Sequence, residues 1–189
     1  MTEDIHHHAL SPSRWVVRFA PLIPAGGWVL DLAAGAGRHS RYLASLGYKV
    51  QAIDRDQDAL AALDGVSGVH VRAADLENAP WPYTQDRFAG IVVINYLHRP
   101  LFPRLLAALE EGGVLIYETF ARGNQRYGKP SNPDYLLEPG ELLEVARGRL
   151  RVLAYEDLFV SEPKPAMLQR ICAFNGTDSL AFPDRWRLQ

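Results

Sequence analysis

The chain has 189 residues, of which 48% are hydrophobic and 22% charged, with a formal net charge of -2. This length suits one domain with a single buried core, and the balance excludes a disordered chain and gives no footing for a nucleic-acid or anionic-membrane partner. Cys172 is the only cysteine, which rules out an intrachain disulfide and a structural zinc site of several thiolates.

Residues 1–10 are polar with no apolar signal core, and no stretch approaches the roughly 18 residues that a membrane-spanning helix needs. These features predict a cytoplasmic protein, one domain over residues 1–189 with residues 1–10 as a flexible tail. His6, His7 and His8 fall within that tail, so they read as a solvated segment and no metal is expected. Trp15 follows on an amphipathic helix, as core or, with Arg14 and Tyr83, as closure of a pocket. Residues 28–32 form a first strand. A helix over 38–46 places Tyr42, Leu43 and Leu46 on one face and ends at Gly47. A second strand (49–54), a helix (56–63) and a third strand (69–73) come next, joined by short connections.

Residues 79–83, Ala-Pro-Trp-Pro-Tyr, are too proline-rich for a helix or a central strand, which predicts an irregular crossover. The run Ile91-Val92-Val93-Ile94 marks a fully buried strand over 88–95, followed by a helix over 102–109. Glu111-Gly112-Gly113 reads as a turn into a fifth strand, 114–118. The Gly-, Pro- and Asn-rich stretch 121–139 has the length of a binding loop. After a helix over 140–147 come strands 150–160 and 166–175, whose five-residue link permits only a hairpin. Alternating strands and helices predict an α/β fold with a mostly parallel sheet and an antiparallel last strand.

The run Val29-Leu30-Asp31-Leu32-Ala33-Ala34-Gly35-Ala36-Gly37 sets an acid near the end of a strand, then a turn of small residues, then a helix. Such a turn lets a ligand approach the main chain, at the carboxyl edge where open α/β sheets bind ligands. Dinucleotide-binding enzymes also carry a glycine-rich turn here. Two features argue against that reading: Asp31 would repel a diphosphate but accept hydrogen bonds from an ammonium group, and Gly35-Ala36-Gly37 continues as Arg38-His39-Ser40 without a third glycine. Three further positions follow strand ends in order. Asp54, followed by Arg55, suits the vicinal hydroxyls of a ribose. In Ala74-Asp75-Leu76 a carboxylate meets an exocyclic amine of adenine while the leucine covers the ring, and Asn95-Tyr96-Leu97-His98 places polar groups and an aromatic face beside the reacting centre. Taken alone, Asp54 also fits a solvated turn acid and Asp75 an ordinary turn former.

Together these motifs resemble those of the class I S-adenosylmethionine-dependent methyltransferases, over about residues 29–120, and within them the small single-domain tellurite-resistance type. The resemblance implies a Rossmann-like seven-stranded sheet with helices on both faces. It implies S-adenosyl-L-methionine as cofactor, with Asp31, Ala33, Gly35 and Gly37 at the methionine part, Asp54 at the ribose, Ala74, Asp75, Leu76, Asn95 and Tyr96 around the adenine and the reacting centre, and Arg55 as a further cofactor contact. Ala33 departs from the pattern, since the family begins its turn with glycine. The Asn-Pro-Pro-Tyr signature of amide and nucleobase methylation is also missing, because Asn95-Tyr96 continues as Leu97-His98.

A sulfonium methyl is already activated, so holding the acceptor in line accounts for most of the rate, with effective molarities of about 10⁵ M or more in favourable cases. His98 is the candidate base, with Tyr96 beside it; a histidine capping a strand end is the plainer reading. Phe120, Arg122, Asn124, Tyr127 and Lys129 are the candidates for binding a small, anionic acceptor. A monomer or homodimer is expected. The alternatives are an NAD(P)-dependent oxidoreductase on the same fold and a catalytically silent module that keeps the cofactor cleft.

Overall fold

Seven strands, β1 (Trp28–Leu32), β2 (Lys49–Asp54), β3 (Val69–Ala73), β4 (Phe88–Ile94), β5 (Leu109–Phe120), β6 (Arg151–Val160) and β7 (Ala166–Phe174), pair into one sheet in the computed structural model, which describes residues 11–176. Their order is β3-β2-β1-β4-β5-β7-β6. The first five run parallel, and β7 is antiparallel to both β5 and β6. From β1 the chain builds outward on one side, and from β4 on the other. The switch point, where such sheets open a crevice, therefore lies between the carboxyl ends of β1 and β4.

Among the described residues the helices are α1 (Arg14–Phe19), α2 (Arg38–Ser45), α3 (Gln57–Ala61), α4 (Phe102–Ala108) and α5 (Glu141–Ala146). The two-residue period of the strands sorts side chains between the faces. Val29 of β1 and Val92 of β4 pack with Trp15, Val16 and Phe19 of α1 and Leu43 of α2. Leu30, Ile91 and Val93 pack on the other side, with Leu105 of α4 and Leu142 of α5. Ile91, Val92 and Val93 are fully buried, each stabilising the fold by about 1.5–3 kcal/mol.

Between β3 and β4 the expected irregular crossover is present: Trp81 and Tyr83 pack against the core where a helix would otherwise lie. Two segments differ from the sequence reading. The predicted turn at 111–113 lies inside β5, because the register steps from Phe88 opposite Leu109 to Gly90 opposite Val114 and the extra residues bulge, with Gly112 at φ 81. Stretch 121–139 is also folded, with 3₁₀ turns at Asn124–Arg126 and Pro133–Tyr135, a bridge between Ala121 and Leu137, and Leu136 and Leu137 fully buried.

The expected tail and its three histidines lie outside the described residues. Among those described, no group of three or more His, Cys, Asp or Glu side chains is placed to hold a metal ion, and no helix is long and apolar enough to cross a membrane.

Candidate active site

β1 ends in a turn whose backbone is unusual at three points: Ala33 has φ 56, Gly35 φ 54 and Gly37 φ 75. Glycine reaches this left-handed region freely, whereas a residue with a β-carbon loses on the order of 1 kcal/mol there. Ala33 therefore carries a conformational cost at the position where glycine was expected. The two glycines serve different ends. A β-carbon on Gly37 would stand 2.3 Å from the Leu63 side chain, so that glycine permits close packing. Around Gly35 a β-carbon would meet nothing within 4 Å, so the main chain there faces open space.

Asp54, at the end of β2, holds the turn in place. One carboxylate oxygen accepts from the Gly35 amide at 2.8 Å and the other from the Asp56 amide at 2.9 Å. Each oxygen keeps a further acceptor position. Past β3, Asp75 accepts from the Glu77 and Asn78 amides and from the Asn78 side chain, and these bonds hold its carboxyl below the usual range. Tyr96, past β4, donates to Glu77 at 3.4 Å, and its main-chain carbonyl accepts from the buried Tyr117 hydroxyl at 2.8 Å. Burial pushes the Tyr96 phenol up, and Glu77 beside it adds to the effect.

These groups enclose a cavity of about 260 Å³ lined by Ala33, Asp54, Arg55, Ala74, Asp75, Leu76, Glu77, Tyr96 and Tyr135. The lining carries the carboxylates of Asp54, Asp75 and Glu77 against a single guanidinium, Arg55. Such a wall disfavours a diphosphate and favours neutral hydroxyls and amines as donors.

Asp31 lies elsewhere: it is buried on the face toward α2, where its carboxylate accepts from the Ser40 hydroxyl at 2.5 Å. Burial raises its pKa to about 6, against the lowering effect of the Ser40 bonds. Next to Ser40, the buried His39 ring accepts from the Ser13 amide at 3.1 Å, and burial pushes its pKa down to about 3, so the ring is neutral. The Ser13 hydroxyl donates to Glu118, which also pairs with Arg170 at 3.1 Å.

Of the residues read from the sequence as cofactor contacts, Ala33, Asp54, Arg55, Ala74, Asp75, Leu76 and Tyr96 come together on the cavity. Gly35 borders open space at the same turn, whereas Asp31, Gly37 and the exposed Asn95 are not on the cavity wall. The half-buried His98 is also off that wall, preceding a 3₁₀ turn at Arg99–Leu101. The five acceptor candidates do not reach it either. Arg122 pairs with Glu138. Asn124 is buried, accepting from the Met167 amide and donating to the Pro130 carbonyl. Tyr127 packs against Phe159 in a tilted pair with ring centroids 4.9 Å apart, Lys129 is exposed and Phe120 half-buried. Trp15 and Tyr83 are core residues, and Arg14 is exposed.

Two lining residues escaped the sequence reading. Glu77 lies two positions past Asp75, and a turn initiated by Asp75 was the signal for it. Tyr135 ends Asn132-Pro133-Asp134-Tyr135, a turn signature in which the Asn132 side chain accepts from the Asp134 amide.

A family profile described as "Tellurite resistance protein TehB" matches residues 9–115. The protein named "Probable S-adenosyl-L-methionine-dependent methyltransferase TehB" of Haemophilus influenzae (strain 10810) is 30% identical over 88 residues, covering 44% of this chain and 31% of that protein. The chain spans less than half the length of the curated relatives it matches. The crystal structure of TehB from Haemophilus influenzae superposes with a TM-score of 0.70 at 21% identity, over 85% of this chain and 61% of that one. A TehB-like SAM-dependent methyltransferase from Corynebacterium glutamicum ATCC 13032 Kitasato gives a TM-score of 0.63 at 19% identity, over 92% and 95% of the two chains. At these identities the likeness establishes the Rossmann-like fold.

Proposed function

The chain belongs to the tellurite-resistance protein TehB family, whose profile spans more than half of its length, and from that premise we propose that it is an S-adenosylmethionine-dependent methyltransferase acting on a small acceptor. One observation carries the reading: residues from the carboxyl ends of four successive parallel strands, β1 to β4, line a single cavity. The fit to the cofactor rests on three features. Gly35 leaves open space where a side chain would fill the cradle. Asp54 keeps acceptor positions suited to the ribose hydroxyls, and Asp75 with Ala74 and Leu76 offers the acceptor and apolar surface that adenine needs.

When bound, the cofactor supplies an electrophilic methyl group on a sulfonium. The chain's own contribution is to orient and to exclude water. Asp54 fixes the turn after β1 by accepting from the Gly35 amide, and Tyr96 is fixed through its main chain by Tyr117. Asp31, with a pKa of about 6, is assigned to the methionine end, where a cationic ammonium group would draw it to the ionised form. His98 is kept as the candidate base and Asn95 as a polar group at the reacting centre.

Isothermal titration tests the reading. The protein should bind S-adenosylhomocysteine saturably and NAD not at all; the reverse result would assign it to the oxidoreductases. A second reading, a silent cofactor-binding module, draws on the absence of the five acceptor candidates from the cavity wall. Incubation with labelled methyl donor and a metabolite extract separates the two, since a silent module gives no labelled product above the blank.

A further inference from the structure

Tyr135 is the one cavity-lining residue contributed by the loop after β5. Its main chain is held with unusual care. Pro133 opens the 3₁₀ turn, Asn132 caps it, and Leu136 and Leu137 are fully buried immediately after it. Arg99, just past the β4 motif, then grips the same turn from the other side. Its guanidinium donates to the Asp134 carbonyl at 2.7 Å and the Leu136 carbonyl at 2.9 Å, and pairs with both oxygens of Glu141 at 2.7 and 3.0 Å. Glu141 in turn accepts from the Glu138 amide at 2.8 Å. Arginine suits this role because its planar fork is rigid and satisfies several acceptors at once.

The Tyr135 ring, by contrast, is 50% exposed. A fixed backbone that holds a half-exposed aromatic residue at a cavity wall is an arrangement that a planar ligand can complete. The cavity neighbours specify which part of a ligand that is. Leu76 and Glu77 come from the β3 end and Tyr96 from the β4 end, the stretch assigned above to adenine.

We infer that Tyr135 is a stacking wall for the nucleobase of the bound cofactor and that Arg99 is the positioning residue that sets it, through the clamp on Asp134, Leu136 and Glu141. This rests on the cofactor reading above and adds two residues to it. The loop after β5 thereby serves the cofactor, and Arg99 ties its placement to the β4 motif.

The test uses two probes, S-adenosylhomocysteine and 5′-methylthioadenosine, the second lacking the amino-acid tail. Tyr135→Ala should weaken both by a similar factor, roughly tenfold, as removal of an aromatic stacking partner does. Tyr135→Phe should restore binding, since the ring and not the hydroxyl is used. Arg99→Lys should weaken both probes severalfold in the native background and hardly at all in Tyr135→Ala, while lowering the melting temperature equally in both. That split marks action through Tyr135, because a general loss of stability would be additive. Unchanged affinity in Tyr135→Ala, a loss confined to S-adenosylhomocysteine, or an undiminished Arg99→Lys effect without Tyr135 would overturn the inference. If the native protein binds neither probe, the cofactor reading itself fails, and the two failures are thereby distinguished.

Discussion

The carboxyl ends of β1 to β4 and the loop after β5 carry similar residue types, yet they use them differently. At the strand ends, Asp54, Asp75 and Tyr96 bond locally and still line a cavity. In the loop, Arg122, Asn124 and Tyr127 are occupied by Glu138, Met167 with Pro130, and Phe159. Parallel strands deliver their ends to one edge of a sheet whatever the intervening sequence, so position in the βα unit decides what a side chain faces. A loop has no such rule. Asn124 turns inward to satisfy backbone groups while Arg122 pairs at the surface, and composition alone cannot reveal which way each side chain points.

The largest expected effect tests the strand ends. Asp54→Ala removes the acceptor of the Gly35 and Asp56 amides together with the proposed ribose contact, and should weaken S-adenosylhomocysteine about 100-fold by titration, on the scale of two hydrogen bonds to a charged group. A loss under threefold would erase the distinction between the two regions. Asp31→Asn comes next. The folded-state pKa of Asp31 is raised from 3.8 to about 6, so the folded protein holds a proton that the unfolded chain releases. Its stabilising effect is full below about pH 4 and is lost as pH rises through 6, a change of up to about 3 kcal/mol. The substitution should flatten that part of the stability profile and raise the melting temperature at pH 8. His39 acts in the opposite sense: its pKa of about 3 leaves stability intact above 6.5 and lost as pH falls toward 3. Equilibrium denaturation from pH 4 to 8 checks both.

How much could be read in advance follows the same division. The strands, the antiparallel hairpin and the missing helix before β4 were legible because hydrophobic period, link length and proline content each have one structural consequence. The bulge at 110–113 was not, since Gly112-Gly113 signals a turn as readily as an extra residue inside a strand. Asp31 was identified as an acid near the turn, but its side of the sheet follows from strand alternation, which puts it with Val29 toward α2 and Ser40. Asn124 was selected for its chemistry, whereas its burial depends on Met167 of β7, 43 positions away.

Smaller effects sharpen the contrast from the loop side. Asn124→Ala removes the acceptor of the half-buried Met167 amide and the donor to the Pro130 carbonyl, and should cost about 1–2 kcal/mol of stability by chemical denaturation, with S-adenosylhomocysteine affinity unchanged. Ala33→Gly relieves the left-handed backbone and should stabilise the fold by about 1 kcal/mol or less, because glycine also loosens the unfolded chain. Arg122→Ala breaks a surface pair with Glu138 and should leave stability nearly unchanged by chemical denaturation. A large loss of affinity in Asn124→Ala or Arg122→Ala would mean that the loop and the cofactor pocket are one unit throughout, whereas Ala33, on the cavity wall, tests the turn after β1.

Two left-handed residues with β-carbons, Ala33 and Asn95, follow the adjacent strands β1 and β4 at nearly the same height. Each sets its strand's exit by main-chain torsion, so the direction in which the chain leaves these two strands is carried by the backbone and not by the bulk of a side chain. The cavity-lining side chains past those exits can then be exchanged while the backbone bends stay in place, which makes this edge of the sheet a starting point for redesigning specificity.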